Sequence, residues 1–150
     1  MAMSWKLVVY SANAPEIADF WAAALEYDVE DPSPLIEQLL AAGHLPAEAV
    51  AEHRGRQIFR GYAAIRHPED PFDVTSGIGQ GRRVLFHNVP EAKSSPNRLH
   101  IDVHAGPDGL DQLVARLEGL GAIRVREVDQ GPAGHWWVMQ DPEGNEFCAA

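Results

Sequence analysis

Apolar and polar residues alternate with a period of two over residues 97–104. Leu99, Ile101 and Val103 take one parity; His100, Asp102 and His104 take the other. A strand sends such sets to opposite faces. The spacing predicts a strand with one packed face and one face of imidazoles and a carboxylate. Helical spacing follows over 109–120, where Leu110, Leu113, Val114 and Leu117 form a stripe. Asp108 is its expected cap, Asp111 sits in its first turn and Gly121 is its stop. Strands are expected over 123–128, 135–140 and 146–149. A turn at 131–134 and Asp141-Pro142-Glu143-Gly144, an order that suits a type I turn, separate them.

The first half repeats this order. Residues 5–10 are β-rich. Asn13 or Ser11 can cap a helix that Pro15 starts, with Ile17, Phe20, Trp21, Ala24 and Leu25 as its stripe and an end near Tyr27. Over 31–54 the composition shifts to Pro, Ala and Glu. Short helices are expected at 34–42, stopped by Gly43, and at 46–53, started by Pro46. This helical insertion either lids a cavity through Leu35, Leu39, Leu40 and Val50 or decorates the surface. Residues 55–67 read as extended, Pro68-Glu69-Asp70-Pro71 as a turn, 72–81 as a flexible glycine-rich loop and 83–89 as a strand. No apolar strand leads into Gly77, Gly79 and Gly81 and no helix follows, so they are not read as a nucleotide loop. Residues 90–96 form a polar connector.

The chain has 150 residues and a formal net charge of −10. That charge repels nucleic-acid phosphates and anionic lipid, so neither is an expected partner. No apolar run has membrane-spanning length, and no secretory signal is visible. A single cysteine, Cys148, allows no internal disulfide and points to the cytoplasm.

Overlaying the halves sets Lys6 on His100, Leu7 on Ile101, Val9 on Val103 and Tyr10 on His104. Two copies of one supersecondary unit share burial that neither achieves alone. Four stretches carry a family resemblance: Phe20-Trp21-Ala22-Ala23-Ala24-Leu25; Val84-Leu85-Phe86-His87-Asn88-Val89-Pro90-Glu91; Asn97-Arg98-Leu99-His100-Ile101-Asp102-Val103; and Asp141-Pro142-Glu143-Gly144-Asn145-Glu146-Phe147-Cys148. On these the chain resembles the vicinal oxygen chelate superfamily, and within it the bacterial glyoxalase-like proteins. The resemblance implies an α+β fold of two paired βαβββ modules. They would form a curved, cup-like mixed sheet flanked by helices within one domain, 1–150. Module one is expected at 1–91, with its insertion at about 31–54, and module two at 97–150. The resemblance also implies a homodimer.

In metal-using relatives four positions supply ligands. Carried over, they fall on Lys6, near His87, on His100 and on Cys148. Lys6 departs from the pattern, since a lysine ammonium has no lone pair to give. Cys148 departs too, standing where a carboxylate is usual. His87, His100 and Cys148 still form an acceptable zinc set, whereas thiolate suits magnesium and manganese poorly. A buried structural cysteine is the plain alternative. Tyr10 and Asp102 complete the expected ligand-binding set. His100 and Asp102 can act as an acid–base pair, while Asp102 and His104 on an ordinary exposed face is the other reading. Of Trp136 and Trp137, one is expected in the core and the other at a pocket wall. His44, His53 and His67 are expected to be solvated.

Two functions follow. One is a glyoxalase-like protein handling a small organic molecule in the cup, with lyase or isomerase chemistry next to a carbonyl and His100 as base or ligand. The other is a metal-free, antibiotic-type binding or resistance protein without turnover. Its ligand is hydrophobic or cationic, the latter drawn by the acidic net charge.

Overall fold

The computed structural model describes residues 1–106 and 108–150. It divides into two compact units, residues 1–22 with 26–90, and residues 23–25 with 91–150. Each is a mixed α+β assembly with its own four-stranded sheet.

In the first unit, β1 (Leu7–Ser11) leads into α1 (Ala14–Leu25), then β2 (Asp28–Val29), α2 (Ser33–Ala41), β3 (Val50–His53), β4 (Arg56–Phe59), β5 (Tyr62–Arg66) and β6 (Arg83–Asn88). The sheet runs β1-β6-β5-β2. β1 and β6 are parallel; β5 is antiparallel to both β6 and β2. Ile17, Ala18, Phe20 and Trp21 of α1, with Ile65 and Phe86 of the sheet, are buried. The amide of Ala14, at the start of α1, donates to Asn88 Oδ1 at 2.6 Å, so the end of β6 fixes where the helix begins. The helix closes at Glu26, in a left-handed conformation, one residue before the expected Tyr27.

In the second unit the order is β7 (Asp102–Val103), α3 (Leu110–Leu120), β8 (Ile123–Asp129), β9 (His135–Gln140) and β10 (Glu146–Ala149). The sheet runs β7-β10-β9-β8, with the pair β7–β10 parallel and the rest antiparallel. In chain order within the unit this is first-fourth-third-second, as in the first unit once β3 and β4 are set aside. The repeat seen in the sequence is therefore a repeat of topology. Leu113, Val114 and Leu117 of α3 are buried with Met139 and Phe147. Asp141 is buried at the expected turn, where its Oδ1 accepts the amides of Glu143 and Asn145, both at 2.9 Å.

Several expectations need correction. The predicted strand over 97–104 contracts to Asp102–Val103, because only these residues pair with β10. Upstream, Leu99 is 79% exposed. Residues 46–53 are not a helix. A short 3-10 turn (Ala47–Ala49) runs into β3, which pairs with β4 in a two-stranded hairpin. Its tip is Arg54-Gly55, with φ of 48° and 77°; consecutive left-handed residues make the tight turn that matches strand twist. Asp108 does not cap α3, whose N-cap is Gly109. The glycine-rich stretch 72–81 is an exposed loop, as expected, in which Gly77 and Gly79 are buried. A Cβ on Gly77 would sit 2.5 Å from the Asp31 carbonyl oxygen, and Gly77 has φ +74°, so only glycine fits there. His53 and His67 are half-buried rather than solvated. Trp136 and Trp137 are both half-buried, with the Arg124 guanidinium 5.1 Å from the Trp137 ring centre.

Candidate functional site

In the second unit, register places a polar row on one face of the sheet. Asp102 pairs with Cys148, Cys148 with Val138, and Val138 with Arg126; directly paired residues project to the same side. His100, just before β7, joins this row. Its Nε2 lies 3.2 Å from Asp102 Oδ1. His100, Asp102 and Cys148 each offer one ligand atom, and these atoms lie within 4.8 Å of one another. Partial burial pushes the Cys148 thiol pKa up, the Asp102 carboxylate adds to that, and Arg126 opposes it. An imidazole, a carboxylate and a thiol form a donor set that suits zinc, and three protein ligands leave a position for water or substrate. When bound, such an ion supplies Lewis-acid polarisation. His104 is exposed beyond the end of β7.

In the first unit, Tyr10, His87 and Tyr62 form one cross-strand row. Tyr62 stacks on His87 with ring centres 4.4 Å apart and planes 8° apart, and Tyr10 meets the same ring edge-on at 5.9 Å. Lys6, immediately before β1, makes no ion pair or hydrogen bond among the described residues. Of the residues singled out in the sequence, then, the second unit brings together His100, Asp102 and Cys148. The first unit brings together Tyr10 and His87.

The sequence reading missed a cavity of about 390 Å³ within the first unit. Tyr62, Ala64 and Leu85 of the sheet line it, with Leu35 from the expected insertion and Ile58 and Phe59 from β4. Of the two readings of the insertion, the cavity-lining one describes Leu35. At one wall, Glu30 and Arg83 form a bidentate pair, Nε to Oε1 at 2.8 Å and Nη2 to Oε2 at 2.7 Å. Glu30 Oε1 also accepts the Gly79 amide at 2.8 Å. At another wall stands His53, whose Nε2 lies 2.6 Å from Asp19 Oδ2, with Arg54 Nε on the same oxygen at 2.8 Å. These contacts fasten the hairpin tip to α1. Asp19 lies 34 residues from His53, and Glu30 lies 53 residues from Arg83, so no local spacing signals either pair.

The model of the glyoxalase-like domain family matches residues 6–150. No functionally curated protein matches the chain in sequence. Among solved structures, a mutant of the fosfomycin resistance protein FosX from Listeria monocytogenes, complexed with Mn(II) and 1S,2S-dihydroxypropylphosphonic acid, aligns with TM-score 0.60 and 9% identity, over 99% of this chain and 91% of that one. A glyoxalase/bleomycin resistance protein/dioxygenase family enzyme from Burkholderia phytofirmans PsJN aligns with TM-score 0.56 and 14% identity, over 96% and 94%. A hypothetical protein from S. aureus aligns with TM-score 0.54 and 16% identity, over 99% and 96%. At these identities the likeness is one of fold. The family match covers nearly the whole chain, and the chain belongs to the glyoxalase-like domain family.

Proposed function

We propose that this protein binds a small organic molecule in the cavity of its first unit. The carrying observation is the cavity itself: about 390 Å³, with mostly apolar walls and a few placed polar groups. Ordinary small-ligand sites have that size and composition. Amide chemical-shift mapping of isotopically labelled protein against a panel of small organic molecules tests it. Shifts are expected around Leu35, Ile58, Ile78 and Leu85, and Leu85→Trp, which fills the space, should abolish them. A panel that moves none of these amides, or shifts that survive Leu85→Trp, refutes the reading.

A second reading, turnover, is favoured by the His100, Asp102 and Cys148 cluster. In it these residues hold a divalent ion, and His100 acts as base or ligand in lyase or isomerase chemistry beside a carbonyl. The FosX neighbour is complexed with Mn(II), but a thiolate in the donor set suits zinc better than manganese. Zinc titration followed by calorimetry is the test. Affinity should fall at least about tenfold in His100→Ala and again in Cys148→Ser. It should tighten as pH rises, because binding must displace the thiol proton, which burial and Asp102 hold on. Zinc retained after both substitutions ends the metal reading. A homodimer in the cytoplasm completes the proposal; a sedimentation mass of one chain would remove the dimer from it.

A further inference from the structure

The walls of the first-unit cavity run against the charge of the whole chain. The chain carries a formal net charge of −10. The cavity is nonetheless lined by Lys6, Arg56 and Arg83, against a single carboxylate, Glu30. Glu30 is already committed. Its two oxygens take the Arg83 guanidinium and the Gly79 amide, so the pair is neutral within itself. Lys6 has no carboxylate partner among the described residues. Arg56 reaches a carboxylate only at 4.0 Å, Asp19 Oδ1, and Asp19 is shared with His53 at 2.6 Å and Arg54 at 2.8 Å. Positive charge is therefore in surplus around a space otherwise walled by Leu35, Ile58, Phe59, Ile78 and Leu85.

We propose that the cavity selects a small organic anion with an apolar body. The oxyanion head is compensated by Lys6 and Arg56, and the body lies against the aliphatic and aromatic wall. This rests on the reading of the cavity as a ligand site and adds the class of ligand. It reverses the expectation from net charge alone, which favoured a cationic ligand. The bulk charge acts at long range and is screened within about 8–10 Å at physiological salt, whereas the lining charges act at contact. A cavity of about 390 Å³ also sits near the lower end of ordinary ligand sites, roughly 300–1,000 Å³. That fits one head and one short apolar body rather than a long chain.

The test uses the full chain and three probes of nearly one shape: 4-phenylbutyrate, 4-phenylbutan-1-ol and 4-phenylbutylamine. Affinities are read by isothermal titration calorimetry at low salt. The acid is expected to bind at least about tenfold tighter than the alcohol, as a charge-assisted contact adds to common apolar burial. The amine should be weakest. Lys6→Met and Arg56→Met should each weaken the acid about tenfold and leave the alcohol unchanged. Retained alcohol binding shows that the variants are folded. Alcohol or amine binding as tightly as the acid, or acid binding that ignores Lys6→Met, overturns the anion assignment while the ligand site stands. No binding by any of the three, with cavity amides still shifted by other members of the small-molecule panel, overturns the anion assignment alone; no binding and no shifts overturn the ligand site with it.

Discussion

The two units share a strand order and differ in what they place on the polar face of the sheet. In the second, the row His100, Asp102, Cys148 and Arg126 keeps donors that can hold a metal, and no inserted element interrupts its strands. In the first, the comparable strands carry Tyr62 stacked on His87 with Tyr10 edge-on to the same ring, and the segment between β2 and β5 supplies walls for a cavity. One topology has thus been fitted with two chemistries: a cluster of donors in the second unit, and in the first a cavity where Glu30 and Arg83 pair while Lys6 and Arg56 are left in surplus. A fold of this kind constrains where side chains sit and leaves open what they do.

The difference can be pressed hardest at Glu30. Glu30→Ala strands the largely buried Arg83 guanidinium and the Gly79 amide. Unpairing a buried ion costs about 3 kcal/mol, so the urea midpoint should drop sharply; an unchanged midpoint would mean that the pair contributes nothing to the first unit. A smaller effect is expected at Asn88, which serves α1 as α3 is not served: no side-chain hydrogen bond caps Gly109. Asn88→Ala should cost about 1 kcal/mol, read from the same unfolding curves. The smallest effect belongs to the second unit. Asp102→Asn removes a charge that holds the Cys148 proton on, so iodoacetamide should alkylate Cys148 about threefold faster at pH 8. The sign for stability follows. The folded thiol has its pKa raised, so its contribution is complete below the ordinary thiol value of 9.0 and fades as pH climbs through the raised one. Asp102→Asn should flatten that alkaline decline, measured as unfolding midpoint against pH.

Local pattern carried the repeat, because α1, α3 and β10 each bury one regular set of apolar residues, and such a set is written in their spacing. The segment 97–104 shows the opposite case. Its alternation is as regular as any, yet Leu99 is exposed, since pairing with β10 begins only at Asp102. Alternation states what a strand could bury, whereas a partner strand decides whether it does. Residues 46–53 misled through Pro46 and the alanines, which suit a helix, while Val50 and Ile58 around Arg54-Gly55 carried the hairpin. At the sites, Asp102 with Cys148 was legible once strand order was known. Glu30 with Arg83 and Asp19 with His53 were not, as nothing local links residues 53 and 34 positions apart.

The insertion leaves the first sheet after β2 and returns at β5, and these strands are neighbours. Asp28 pairs with Arg66, Val29 with Ile65, and the Glu30 amide donates to the Ala64 carbonyl at 2.9 Å. Its two ends therefore meet across one strand spacing, a gap that the second unit closes between β8 and β9 with the short link through the 3-10 turn Gly131–Ala133. The stretch behaves as a cassette. It can be lengthened, shortened or exchanged with no change in the path of the sheet, so the choice of ligand and the integrity of the framework can drift under separate selection.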